Sequence, residues 1–175
     1  MPKFCLFVLL VYALGHAQPP RLELEPRGFA PVEVQIPLTA NEKLIEVTKA
    51  WAGEYNNRRS VGNRRGGHDI TDVTANALTV HAYKRNAFFY RERGQAFNHS
   101  IDYSLKFNFY GTYYTVEFTV DNIYINNDKL IESGITDYFN SDGKLKEGYD
   151  ELETSLEANV NEIVLSHYNF LISFR

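Results

Sequence analysis

The chain has few of the residues on which covalent cross-links and metal clusters depend. Its 175 residues include one cysteine, Cys5, one methionine and one tryptophan. A single cysteine excludes an intrachain disulfide, so the fold must rest on a hydrophobic core, which a chain of this length is able to bury. The formal net charge is −4, with no basic excess. That charge disfavours a protein that binds the phosphate backbone of nucleic acid.

The first 17 residues are typical of a secretory signal peptide. Lys3 precedes an apolar run from Phe4 to Leu14, and Gly15 and Ala17 supply the small residues of a cleavage site. The run has about 11 residues, whereas a helix that anchors a protein in a bilayer needs about 20. We therefore expect cleavage after Ala17, a secreted or periplasmic protein, and no transmembrane segment in the mature chain.

The mature chain is predicted to consist of a leader and one domain. Residues 18–31 contain four prolines, which predict an extended, partly flexible leader. Residues 32–175 carry the periodic patterns of a single α+β domain. Val32, Val34 and Ile36 alternate with polar residues and indicate a strand. A helical stripe follows, and it includes Trp51, which shares the stripe with aliphatic residues and is therefore predicted to lie in the core.

From residue 68 to 125 the hydrophobic period changes to two. The clearest runs, 101–109 and 114–121, flank a turn at Tyr110–Gly111 and predict an antiparallel hairpin with one apolar face. Near Asp121 the alternation of apolar and polar residues shifts by one position, a change of parity that indicates a β-bulge or the end of the strand. A long amphipathic helix from about Tyr149 to Phe174 closes the chain. The predicted fold has two layers: an antiparallel sheet of about five strands, with a short helix and the long C-terminal helix on one face, in the order β-α-β-β-β-β-α.

Three passages carry a resemblance to a known family. They are LIEVTKAWAGEYNN, YSLKFNFYGTYYTVEFTV and DGKLKEGYDELETSLEANVNEIVLSHYNFL. Together with the order of elements, these passages resemble the bacterial family of unknown function DUF4468, which has a TBP-like fold. The predicted arrangement of helices on one face of the sheet is of the TBP-like or helix-grip kind. The resemblance implies the same topology and secretion from a bacterial cell. The family has no agreed activity, so it assigns a role to no residue here.

One loop is a candidate anion-binding site. The stretch RRSVGNRRGG carries Arg58, Arg59, Arg64 and Arg65 among glycines. Guanidinium groups bind sulfate or phosphate through paired hydrogen bonds, so the loop is suited to an anionic ligand. A solvated loop without a ligand is the other interpretation.

The sequence predicts no enzyme, no cofactor and no metal site. The mature chain has four histidines, and no pair of them has the His-x-x-x-His spacing of a helical metal site. The G-x-S-x-G turn of a serine hydrolase is absent as well. His167 falls on the apolar stripe of the final helix and is predicted to be a hydrogen-bonded core residue.

The predicted function is that of a secreted, non-catalytic interaction module whose partner is an unknown protein or component of the cell envelope. The chain has 12 tyrosines and 12 phenylalanines, several of them near predicted turns. Exposed aromatic residues can form contact surfaces. The alternative is a carrier of a small hydrophobic ligand between the sheet and the C-terminal helix. Its apolar groove would be lined by Trp51, Leu105, Phe107, Phe118 and Ile163.

Overall fold

The structure is a computed structural model that describes residues 18–59, 67–125 and 129–174, without the side chains of 57–59. The predicted signal peptide lies outside the described residues. In chain order the elements are β1 Leu24–Glu25, β2 Gly28–Phe29, β3 Val32–Gln35, α1 Asn41–Arg59, β4 His68–Thr71, β5 Ala77–Glu92, β6 Gln95–Phe109, β7 Tyr113–Ile125, β8 Lys129–Ile131, a 3₁₀ turn Ile135–Tyr138 and α2 Asp150–Ser173.

The main sheet is antiparallel throughout, as the period of two predicts. Its path runs β3-β7-β6-β5-β4, and β8 pairs with the last residues of β7. The alternating apolar side chains of β6 and β7 lie on one buried face, where Leu105 pairs with Phe118 and Phe107 with Val116. The predicted hairpin and the order β-α-β-β-β-β-α of the central elements are therefore confirmed.

The change of parity at Asp121 is a β-bulge. Asp102 pairs with Asn122 and the next residue of β6, Tyr103, pairs with Val120, which leaves Asp121 as the extra residue of β7. The bulge returns Ile123 to the buried face, where it lies opposite Ile101. One added residue thus keeps the apolar side chains of β7 in the core on both sides of the irregularity.

Both helices cover the apolar face of the sheet. The side chains of α2 that face the sheet are at most 1% exposed. They are Leu152, Leu156, Val160 and Ile163. The α2 helix also covers the free edge of β5, because Ser155 Oγ accepts a hydrogen bond from the backbone of Phe89 (3.1 Å). Side chains that bind an unpaired strand edge in this way prevent it from pairing with another chain. The described residues contain no helix that is both long enough and apolar enough to span a bilayer.

The leader is packed on the domain. After residues 18–23, which form no regular element, β1 and β2 make a small hairpin. Leu22 and Leu24 are buried, and Asn161 on α2 binds both the N–H and the carbonyl of Leu22 at 2.8 and 2.9 Å. Neither the hairpin nor β8 was predicted.

Candidate functional site

Three loops meet at one end of the sheet. The strand register places them there, because β3 ends at Gln35 opposite Tyr113, where β7 begins, and β5 begins at Ala77 opposite Asn108, near the end of β6. The loops 36–40, 72–76 and 110–112 therefore lie side by side. Loops gathered at the end of a rigid sheet are a common location for binding surfaces.

A shallow cavity of about 590 Å³ opens at this end. We call its lining residues the rim: Leu38, Thr39, Ala40, Asn41, Asn76, Phe109, Tyr110 and Gly111. Leu38 is 82% exposed and Tyr110 is 50% exposed, although both are large apolar side chains. No rim residue carries an ionised side chain, so the rim offers apolar contact area and neutral hydrogen-bonding groups.

The β6–β7 turn holds the rim in shape. Gly111 has φ +82°, a left-handed conformation that favours glycine, and this allows Tyr110 N–H to bond Tyr113 O at 2.9 Å. The rings of Tyr110 and Tyr113 stack with centroids 4.6 Å apart. The backbone N–H of Thr39 bonds Gly111 O at 2.9 Å, which ties the loop before α1 to the turn.

Asn41, the first residue of α1, contributes an unusual polar group to the rim. Its Oδ1 atom is buried and has no hydrogen-bond partner within the described residues. Most buried polar atoms in folded proteins are paired, so an unpaired amide oxygen beside a cavity is a group with unused bonding capacity.

A second cavity, of about 360 Å³, lies on the polar face of the sheet at the β7 bulge. Asp121 Oδ1 accepts a hydrogen bond from Ser104 (3.1 Å), and its other carboxylate oxygen is 3.9 Å from His81 Nδ1. Burial raises the pKa of Asp121 above its ordinary value, and the Ser104 hydrogen bond opposes that shift. The neighbouring carboxylate, Asp102, accepts a hydrogen bond from Tyr124 Oη at 2.5 Å.

The carboxylates at the bulge are thus occupied by neighbouring side chains. Within the described parts of the chain, no three His, Cys, Asp or Glu residues converge in an arrangement that would bind a metal ion. No motif in the sequence indicates this cluster. The change of alternation at Asp121 marks the bulge, but it does not indicate which residues lie across the sheet from it.

The five residues of the predicted apolar groove are brought together, but in the core. Trp51, Leu105, Phe107, Phe118 and Ile163 are each 2% exposed or less. The rings of Trp51 and Phe107 meet edge to face at 6.2 Å. None of the cavities described here is lined by any of the five. All five belong to the hydrophobic core between the sheet and the helices.

The predicted anion-binding loop falls largely outside the described residues. The backbones of Arg58 and Arg59 form the last turn of α1, but their side chains are not described. Arg64 and Arg65 lie outside the described residues.

His167 occupies the position predicted for it. Its ring is fully buried, with Nε2 at 2.9 Å from Thr48 Oγ1 and Nδ1 at 3.2 Å from Tyr114 Oη. Burial lowers the pKa of His167 to about 3, so the ring is neutral near neutral pH. It joins α1, β7 and α2 through hydrogen bonds in the core.

His99 is also a packing residue. It lies between Phe88 and Tyr90, with ring centroids 4.7 and 5.1 Å away. Its Nδ1 atom is 3.0 Å from Phe97 O, and burial lowers the pKa of the ring.

Two solved structures have a similar fold. A DUF4468 family protein from Bacteroides ovatus aligns with a TM-score of 0.56 and 10% identity over 91% of this chain and 90% of its own. A TBP-like protein from Parabacteroides distasonis aligns with a TM-score of 0.57 and 12% identity over 82% of this chain and 91% of its own. No family model matches the chain, and no curated protein matches it. The resemblance predicted from the sequence is therefore confirmed for the fold, and at these identities it extends to the fold alone.

Proposed function

We propose that this chain is a secreted, non-catalytic interaction module that contacts a protein or another component of the cell envelope through the rim. The observation that carries the proposal is the exposure of Leu38 and Tyr110 beside a cavity that has no ionised lining residue. Exposed aromatic and aliphatic side chains are costly in water and contribute strongly to binding when a partner covers them.

The arrangement of the titratable groups supports a non-catalytic role. His167 and His99 are buried and engaged in packing, and both are neutral near neutral pH because burial lowers their pKa values. The carboxylates at the β7 bulge accept hydrogen bonds from neighbouring side chains. Such groups hold a structure together rather than transfer protons to a substrate.

Secretion is supported by the sequence before the leader. The apolar run Phe4–Leu14 and the small residues Gly15 and Ala17 precede Gln18, and the domain follows with a packed leader. Cleavage after Ala17 would therefore release a chain whose first residues already lie on α2.

Site-specific photo-crosslinking in the native host tests the role of the rim. A photoreactive amino acid replaces Tyr110 in one variant and Leu130 in the other. Leu130 is a matched control, because it is 54% exposed and lies in β8, near the opposite end of the sheet. We expect one discrete adduct from position 110 and none from position 130. The adduct should disappear when Leu38→Ser is added.

Three outcomes would contradict the proposal. Adducts of equal yield from both positions would mean that the rim is not a specific surface. The absence of an adduct at position 110, in cells where the protein is present in the secreted or periplasmic fraction, would mean that the rim has no partner there. Retention of the chain in the cytoplasm would contradict secretion.

A further inference from the structure

The leader is fixed to α2 from Leu22 onward. Asn161 donates a hydrogen bond to Leu22 O and accepts one from Leu22 N–H. Its amide group thus makes the two hydrogen bonds that a neighbouring strand would otherwise make. Glu157 Oε1 accepts a hydrogen bond from Leu24 N–H at 2.7 Å. The position of the chain just before Leu22 is therefore set by α2.

The residues before Leu22 and the helix α2 line a half-open cavity of about 350 Å³, and Gln18 is exposed at its edge. Its lining is mostly hydrocarbon and comes from Gln18, Pro19, Pro20, Arg21, Ala158, Asn161, Glu162, Val164 and Leu165. The carboxylate of Glu162 is 3.3 Å from Lys84 Nζ and is thus already paired. The prolines restrict the backbone between Gln18 and the fixed part of the leader, so Gln18 stays beside the cavity.

Cleavage after Ala17 would make Gln18 the first residue of the mature chain. Its α-amine and its side-chain amide then belong to the same residue. A bond between the amine nitrogen and the amide carbon Cδ would close a five-membered ring. Reactions between groups held in one molecule are strongly favoured over their bimolecular counterparts. The amine nitrogen attacks Cδ, a new N–Cδ bond forms, the Cδ–Nε2 bond breaks, and ammonia leaves with the proton of the amine. No oxidant, reductant or second substrate is required.

We propose that Gln18 is a modification site, converted to pyroglutamate after cleavage, and that the resulting ring occupies the cavity between the leader and α2. Ring formation removes the positive charge of the N-terminus. An uncharged lactam is better suited than an ammonium group to a mostly apolar cavity, because burying an ion costs far more free energy. The inference rests on the proposed secretion, since the amine exists only after cleavage.

Intact-mass and N-terminal peptide mass spectrometry of the protein secreted by its native host tests the modification. We expect a chain that begins at residue 18 and is lighter than the unmodified chain by the mass of one ammonia. A Gln18→Asn variant is the control, because its shorter side chain cannot close the five-membered ring. It should retain a free amine. A chain that begins at Gln18 with a free amine would overturn this inference and leave secretion intact, whereas a different first residue would overturn the predicted cleavage.

Nuclear magnetic resonance of the same secreted protein tests where the ring lies. Nuclear Overhauser contacts are expected between the methylene protons of residue 18 and the methyl groups of Val164 and Leu165. A cyclised residue 18 without these contacts would overturn the location of the ring.

Discussion

At the scale of single residues, His167 links pH to stability. Because the pKa of its buried ring is about 3, below the ordinary 6.5, the unfolded chain binds one more proton than the folded chain between these values. Its contribution to stability is therefore fully present above pH 6.5 and is lost as the pH falls toward 3. The loss is about 1.4 kcal/mol per pH unit, or about 2 kcal/mol between pH 6.5 and 5.

The variant His167→Gln should flatten this dependence. Glutamine keeps hydrogen-bonding groups in the core but does not titrate, so the free energy of unfolding should fall less steeply between pH 7 and 5. Urea unfolding at several pH values measures the free energy of unfolding and its slope against pH. His68→Gln is the control for the loss of an imidazole outside the core, because His68 is exposed in β4. Equal slopes of the free energy of unfolding against pH in wild type and His167→Gln would show that the His167 ring does not cause the pH dependence of stability.

The β5–β6 turn contains a residue that is poorly suited to its backbone. Arg93 and Gly94 form a two-residue turn with φ values of +50° and +82°, closed by the pair Glu92 and Gln95. Asn-Gly is the preferred pair in such turns, so Arg93→Asn should raise the free energy of unfolding by about 0.5–1 kcal/mol. Denaturant unfolding at pH 7 measures the change.

Gly94→Ala should act in the opposite direction. A Cβ at this position would meet no atom within 4 Å, so the expected loss of about 1 kcal/mol would come from backbone strain alone. If Gly94→Ala is neutral, or if Arg93→Asn destabilises the protein, the turn does not have the assigned conformation.

At the scale of elements, the packing of the leader on α2 depends on Asn161. Asn161→Ala leaves the N–H and the carbonyl of Leu22 without these partners in a buried position, which should lower the free energy of unfolding by about 1–3 kcal/mol. Amide hydrogen exchange at Leu22 should become faster. Asn169→Ala on the same helix is the control, because Asn169 is exposed. Unchanged exchange at Leu22 would mean that Asn161 does not hold the leader.

The elements that the sequence predicts well are those in which a periodic pattern of hydrophobic residues continues over many residues. The alternation in β6 and β7 and the stripe of α2 extend over enough residues to define a buried face, and even the bulge at Asp121 is visible as a change of parity. The hairpin of β1 and β2 has two residues in each strand, too few to form a pattern. It is stabilised by the contact of Phe29 with Phe118 and by α2, which are distant in sequence.

At the scale of the whole molecule, the candidate site was harder to predict than the fold. The rim combines residues near positions 38, 76 and 110, which come together only when the register of β3, β5, β6 and β7 is set. The sequence marked Tyr110 as one of many aromatic residues near turns, but it contained no signal for the exposure of Leu38. The five predicted groove residues lie in the buried core, and hydrophobic periodicity alone does not distinguish a filled core from a lined pocket.

The packing of that core can be tested with Phe118. Its ring is 2% exposed, stacks on Tyr103 at 5.1 Å and meets Phe29 at 5.5 Å, so Phe118→Ala should leave a cavity and lower the free energy of unfolding by about 3–5 kcal/mol. Phe174→Ala is the control, because Phe174 is 52% exposed, and it should change stability by less than about 0.5 kcal/mol.

Added benzene then separates a filled core from a ligand pocket. It should raise the thermal stability of Phe118→Ala, because a new apolar cavity binds it, and leave the wild type unchanged. A loss below about 1 kcal/mol in Phe118→Ala, together with stabilisation of the wild type by benzene, would mean that free space already exists beside Phe118. In that case the predicted carrier of a small hydrophobic ligand would be the better description of this protein.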